Sequence, residues 1–212
     1  MTGIRDDFLA TARTAARLLR DPAVAARWDG PSALAEFSVG GLAGHLAYQV
    51  LAVPTILAGP VPHEPTIPVL EHYGQVAWVG TAPDEDINVR IRAGGDQEAA
   101  DGPDALAARV DAALAELDAG LVEEPDRAVR IPFWGPWSLT LDDLLVTRMM
   151  ELAVHSDDLA VSVGVPTPEL PAGAVDTVVD LLSRLAVRRH GPTAVLRALS
   201  RAERAPTTIT AF

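Results

Sequence analysis

Apolar residues along most of this chain recur every three or four positions, the spacing of one face of an α-helix. Over residues 4–20, Ile4, Phe8, Ala12, Ala15, Leu18 and Leu19 share a face. Asp21-Pro22 then stops the helix, because proline lacks an N–H and clashes with the preceding turn. Ser38 is a suitable N-cap for a second long helix, which carries Leu42, His45, Leu46, Gln49 and Val50 towards residue 58 and which Pro54 should kink. The stretch GPVPHEPTIP, residues 59–68, reads as a loop. Helical patterns follow at about 69–80, 84–93 and 103–121, whereas RAVRIPFWGPWSL, residues 127–139, reads as extended or irregular because its prolines and glycine exclude a helix. Thr140 caps a further long helix, with Asp142 and Asp143 suited to its positive end and Gly164 and Pro166 closing it. Helices at about 172–189 and 193–202 complete the chain. Alternation of the β type is scarce, so the pattern predicts an all-α bundle.

Composition narrows this picture. A chain of 212 residues, 49% of them hydrophobic, fits one domain with a substantial core and argues against disorder. A formal charge of −12 argues against nucleic acid or an anionic membrane as partner, since both are bound through clustered Lys and Arg. The charge is segregated. Residues 83–126 hold thirteen acids against Arg90, Arg92 and Arg109, while residues 184–204 hold six arginines and one acid, Glu203. A solvated basic face on the C-terminal helix is the simpler expectation, and pairing with the acidic segment, in the same chain or in a homodimer, is the alternative. The absence of cysteine excludes disulfides, thiolate ligands and a cysteine nucleophile, so any metal site must use nitrogen and oxygen. No signal peptide is legible at the N-terminus and no apolar run reaches the length of a membrane span, so a cytoplasmic protein is expected. All seventeen basic residues are arginine, a coding bias of GC-rich bacterial genomes.

Familiar catalytic signatures are missing: no GxSxG, no GxxxxGK[ST], no HExxH and no dinucleotide fingerprint after a strand. GGLAG, residues 40–44, opens a helix without a preceding strand and reads as close helix packing. The stretch RMMELAVHSDDLA, residues 148–160, is more informative. At about 100° per residue, Arg148, Glu151, His155 and Asp158 point within one narrow arc, which sets a carboxylate and an imidazole one turn apart, as two metal ligands can sit. His45 lies mid-helix among Leu42, Leu46 and Tyr48, where a buried ring needs a partner. Separately, His45 can be a core histidine satisfied by a hydrogen bond, and Glu151 can pair with Arg148. Together, a divalent metal would take up the polar groups of both helices at once. His63, His72 and His190 read as exposed or capping residues.

FSVGGLAGHLAYQV followed about a hundred residues later by LTLDDLLVTRMMELAVHSDDLAVSVG resembles the metal-binding pattern of the DinB-like superfamily, specifically its actinobacterial branch, the mycothiol-dependent maleylpyruvate isomerase N-terminal domain family. The resemblance implies a DinB-like four-helix bundle, here with additional short helices, holding a metal, usually zinc, through His45, Glu151 and His155. Three protein ligands leave a position open for water or substrate. The resemblance further implies that this position receives the sulfur of a low-molecular-weight thiol, mycothiol in this branch, as the thiolate that attacks a small electrophile. In an isomerase the thiolate adds to a cis double bond, the adduct rotates, and elimination returns the trans isomer. In an S-transferase the sulfur stays attached.

The full isomerase carries a further C-terminal domain, whereas residues 166–212 here read as a helical extension packed on the bundle of residues 1–165. A mycothiol-dependent S-transferase is therefore expected ahead of the isomerase reaction. The alternatives are a non-catalytic metal-binding bundle, closed by a fourth ligand such as His72, and a metal-dependent hydrolase. Arg148 is placed to orient Glu151, and Asp158 to accept the free ring N–H of His155. Trp134 and Trp137, in FWGPW, are candidates for a pocket wall.

Overall fold

A computed structural model describes residues 3–82, 84–131 and 133–212. Its helices are α1 (Ile4–Leu19), α2 (Pro22–Ala26), α3 (Val39–Ala58), α4 (Val69–His72), α5 (Asp86–Glu98), α6 (Pro103–Asp118), α7 (Leu141–Val163), α8 (Ala172–His190) and α9 (Pro192–Ser200). Before α7, β1 (Ala128–Val129) pairs antiparallel with β2 (Leu139–Thr140). Four helices make the bundle: α1 and α3 each pack against both α6 and α7. Phe8, Leu42, Leu46, Leu106, Leu144, Leu145 and Leu152 meet in its core, fully removed from solvent. Each such side chain contributes about 1.5–3 kcal/mol of hydrophobic stabilisation. Helix α5 covers the outer side of α3, α8 lies against α7 and α1, and α9 against α8. The architecture is all-α, as the periodicity predicts, and is the four-helix bundle with additional short helices that the family resemblance implies.

The caps fall where the sequence sets them. Ser38 Oγ accepts from the Gly41 N–H at 2.9 Å, Thr140 Oγ1 accepts from the Asp143 N–H at 3.1 Å, and Gly164 ends α7 at a left-handed φ of 77°. The segment 69–80, expected as one helix, is helical only through His72. Arg188 donates to the Leu70 carbonyl at 2.7 Å, the acceptor that the Gly74 N–H would meet in a continuing helix. Gly74 bonds the Glu71 carbonyl instead, at 3.0 Å. Helix α5 overruns its expected end, continuing through Gly94-Gly95. A Cβ on Gly44 would meet the Gly95 carbonyl oxygen, and one on Gly95 would meet that of Gly41. These glycines serve the close approach of α3 and α5 rather than a helix stop. The segment 127–139 holds the two short strands; Pro132, one of the residues read there as excluding a helix, lies outside the described residues.

By length and composition alone α3 is long and apolar enough to cross a membrane, which the apolar runs in the sequence did not suggest. Its His45 and Gln49 interrupt the run, and in the fold it packs against α5, α6 and α7. The acidic segment meets α1, through Arg13 with Asp118 and Arg20 with Asp111, while Arg184 pairs with Asp180 within α8 at 2.9 Å.

Candidate metal centre

Two helices of the bundle bring their polar residues to one point. His45 projects from the second turn of α3, on the helix whose glycines seat it tightly against α5. Glu151 and His155 project one turn apart from the middle of α7. Glu151 Oε2 lies 3.1 Å from His155 Nε2 and 3.5 Å from His45 Nε2, and the three ligand atoms all fall within 4.8 Å of one another. The imidazoles meet edge-on, with centroids 4.8 Å apart. Tetrahedral coordination at bonds of about 2.0–2.1 Å puts ligand atoms about 3.3 Å apart, so the two edges from Glu151 already have the right length, and the two imidazoles would draw together around an ion. Side-chain exposures of 16, 13 and 15% for His45, Glu151 and His155 leave the cluster reachable from solvent.

The electrostatics follow from burial and contact. Burial would raise Glu151, but hydrogen bonds from His155 and His45 outweigh it and hold the carboxyl well below its ordinary range. Burial also pulls His155 down. The hydrogen bonds to Asp158 and Glu151 overcome it and carry the imidazole up to about 9. His45 has no such second carboxylate, and burial prevails, keeping it neutral. Asp158 Oδ2 accepts from His155 Nδ1 at 2.9 Å, the contact expected of it. That bond holds a proton on Nδ1 and leaves Nε2 to face Glu151 and His45.

Arg148 does not reach Glu151. The carboxylate is drawn to its two histidines, and the guanidinium turns to the α3 side: Nη1 donates to Gln49 Oε1, and Nε to Thr147 Oγ1 at 3.1 Å. Gln49 Nε2 in turn donates to the His45 carbonyl at 2.8 Å. Trp134 lies under the guanidinium, 5.5 Å from Cζ to the ring centroid, and also packs on His72 at 4.3 Å between centroids. Trp137 is buried and donates its indole N–H to His72 Nδ1 at 3.1 Å. Trp134 thus bridges Arg148 and His72, while Trp137 is held against His72.

His72 corrects the sequence reading. It is buried at 2% exposure rather than exposed or capping, and burial pushes it down to about 4, so it is neutral. An indole N–H can only donate, so His72 Nδ1 is the acceptor and its proton sits on Nε2. His72 is not among the clustered ligand atoms, so no fourth protein ligand closes the site among the described residues. Its buried place was legible only in the aromatic content of the flanking segments, since Tyr73, Trp134 and Trp137 pack on its ring and Trp78 packs behind Tyr73. His63 is exposed, and His190 bonds the Thr210 carbonyl at 2.9 Å. Two surface clefts, of about 470 Å³ at residues 25–31 and about 420 Å³ between α4, α7 and α8, lie away from the cluster.

Comparisons with known proteins converge on one group. A family model described as the mycothiol maleylpyruvate isomerase N-terminal domain matches residues 8–160, a span that includes His45, Glu151 and His155. No curated protein matches the sequence. Among solved structures, a crystal structure of the mycothiol-dependent maleylpyruvate isomerase superposes with a TM-score of 0.50 at 16% identity, covering 89% of this chain and 72% of that chain. A histidine-to-alanine mutant of the enzyme so named gives 0.50 at 17% identity with the same coverage. At such identity the likeness concerns the fold.

Proposed function

The chain belongs to the mycothiol maleylpyruvate isomerase N-terminal domain family, and on that premise we propose that it is a metal-dependent enzyme using a low-molecular-weight thiol, such as mycothiol, in transfer to a small electrophile or in its cis–trans isomerisation. The observation that carries this reading is the three-ligand cluster. His45, Glu151 and His155 supply two nitrogens and a carboxylate oxygen within 4.8 Å, on a part-exposed face with no fourth protein ligand among the described residues. Such a set suits zinc or another divalent ion with a position to spare. A divalent ion held there would supply the positive charge that favours thiolate over thiol, and the thiolate is the nucleophile.

The chain's own residues have separable roles. Glu151 is anionic without a metal and so ready to ligate. Asp158 fixes the Nδ1 proton of His155, and Gln49 ties the His45 backbone to Arg148. Residues 166–212 form part of the same unit, a reading supported by α8 lying against both α1 and α7. Metal analysis of protein purified without chelators should give about one divalent ion per chain, lost in a His45→Ala/His155→Ala double variant. Metal-loaded protein incubated with mycothiol and a panel of electrophiles, maleylpyruvate among them, should consume free thiol if the reaction is transfer. It should convert cis to trans without net thiol loss if the reaction is isomerisation. Neither outcome, with metal bound, would remove the enzymatic reading.

A further inference from the structure

Arg148 carries a buried positive charge that no carboxylate among the described residues compensates. The residue is 6% exposed, and among the described residues no carboxylate lies within ion-pair distance of it; its partners are the neutral Gln49 Oε1, Thr147 Oγ1 and the Trp134 ring. Its titratable neighbours do not help. His45 and His72 are held neutral by burial, and Tyr48 and Tyr73 are pushed up by burial and stay un-ionised. Glu151 is taken by the two histidines. A guanidinium withdrawn from water in this way is costly, and native interiors pair such charges.

The group also has a free edge. Nε and Nη1 are engaged, but Nη2 has no hydrogen-bond partner among the described residues. Nor is it sealed off, since the one fully buried side-chain polar atom without a partner among them is Ser156 Oγ. An unpaired donor that still reaches solvent-accessible space, held from behind by Thr147, Gln49 and Trp134 and sharing Gln49 with His45, is a preorganised anion contact at the edge of the metal cluster. A metal-loaded centre reinforces the need for an anion: a divalent ion and Arg148 against Glu151 and Asp158 leave a net positive site.

We propose that Arg148 is the specificity-determining residue for the electrophile: its free Nη2 edge receives a carboxylate of a small organic acid, so that the acid's reactive carbon lies at the His45–Glu151–His155 cluster. Planar, multi-donor recognition of a carboxylate is what a guanidinium does better than an ammonium. This inference rests on the thiol-transfer reading for its consequence, though not for its test.

The test is equilibrium binding of two inert probes of matched shape, succinate and succinamide, followed by intrinsic tryptophan fluorescence on the metal-loaded protein, since Trp134 lies against the contact. Wild-type protein should prefer succinate by about tenfold or more, the size expected of one charge-assisted hydrogen bond. Arg148→Met, which keeps the apolar stem and removes the buried charge, should bring the ratio close to one. Arg148→Lys, which keeps the charge and loses the planar fork, should lower the preference without abolishing it. No preference in the wild type overturns the proposal even if a variant fails to fold. Full preference retained in Arg148→Met also overturns it, placing the carboxylate on the metal. Where the protein turns over, Arg148→Met should raise KM for a carboxylated electrophile at least about tenfold over its amide analogue and leave KM for the thiol unchanged; a rise confined to the thiol assigns the contact to the cosubstrate and overturns the proposal. Absence of thiol consumption would remove the thiol-transfer reading while leaving the probe titration fully informative.

Discussion

Stripping the metal should make the protein's stability depend on pH through His155, with a sign opposite to that of metal binding. In the metal-free protein the His155 imidazole sits between Asp158 and Glu151, and its pKa stands at about 9 against the ordinary 6.5. A group raised in the folded state contributes stability that is fully present below about pH 6.5 and is lost as pH rises through about 9. Holding the imidazole at about 9 rather than 6.5 corresponds to about 3 kcal/mol, and the side chain, only 15% exposed, is little screened by solvent. For a chain of this length that is a fall of about 6–12 °C in Tm between pH 6.5 and 10. Other groups bracket the window. His45, lowered by burial, costs stability only as pH falls below 6.5, and the raised Tyr48 and Tyr73 act above pH 10. The measurement is calorimetry of chelator-treated protein across that range, taken as the difference between wild type and His155→Gln, in which these contributions cancel. Metal binding runs the other way: it needs the Nε2 lone pair, so apparent affinity should improve about tenfold per pH unit up to about pH 9. Parallel Tm profiles for the two proteins would refute the reasoning, because they would mean that His155 holds no extra proton.

Three further outcomes are expected. Asp158→Asn should weaken divalent-metal affinity by about 10–100-fold, because the amide cannot hold His155 in the same protonation pattern; competition with a metal indicator dye reads this directly. Gly44→Ala should cost about 1–3 kcal/mol or more in denaturant unfolding, since its methyl meets the Gly95 backbone rather than a movable side chain. The same substitution should loosen metal binding through the neighbouring His45. Trp137→Phe should cost about 1–3 kcal/mol by leaving His72 Nδ1 without its donor, and nitrogen-edge NMR of His72 should show the fixed Nε2–H tautomer give way to a mixture.

Which parts of the site were legible in the sequence depends on how local they are. Glu151, His155 and Asp158 share one helix, where spacing alone fixes the arc they occupy, and the contact between Asp158 and His155 follows from i, i+3 geometry. The same geometry suggested an Arg148–Glu151 pair that does not form, because two histidines compete for the carboxylate and Gln49, on another helix, competes for the guanidinium. His72 was misread for a related reason. Glu71 and Gly74 stand close to it in sequence beside the single aromatic Tyr73, whereas in space Trp134 and Trp137, more than sixty residues away, complete its surroundings.

The sequence by itself determined the helical periodicity, the caps at Ser38 and Thr140, the stop at Gly164, the all-nitrogen-and-oxygen ligand chemistry and the family. All of these depend on residue type and on spacings of a few positions. Only the tertiary structure decided that α4 ends at His72, that Gly94-Gly95 continues a helix, and that Arg148 turns to Gln49 and Thr147 and, among the described residues, has no carboxylate partner. Each of those outcomes turns on which distant group wins a hydrogen bond or a close contact: Arg188 for the Leu70 carbonyl, α3 for Gly95, Gln49 for Arg148. Periodicity gives the face of a helix but not the neighbour it meets.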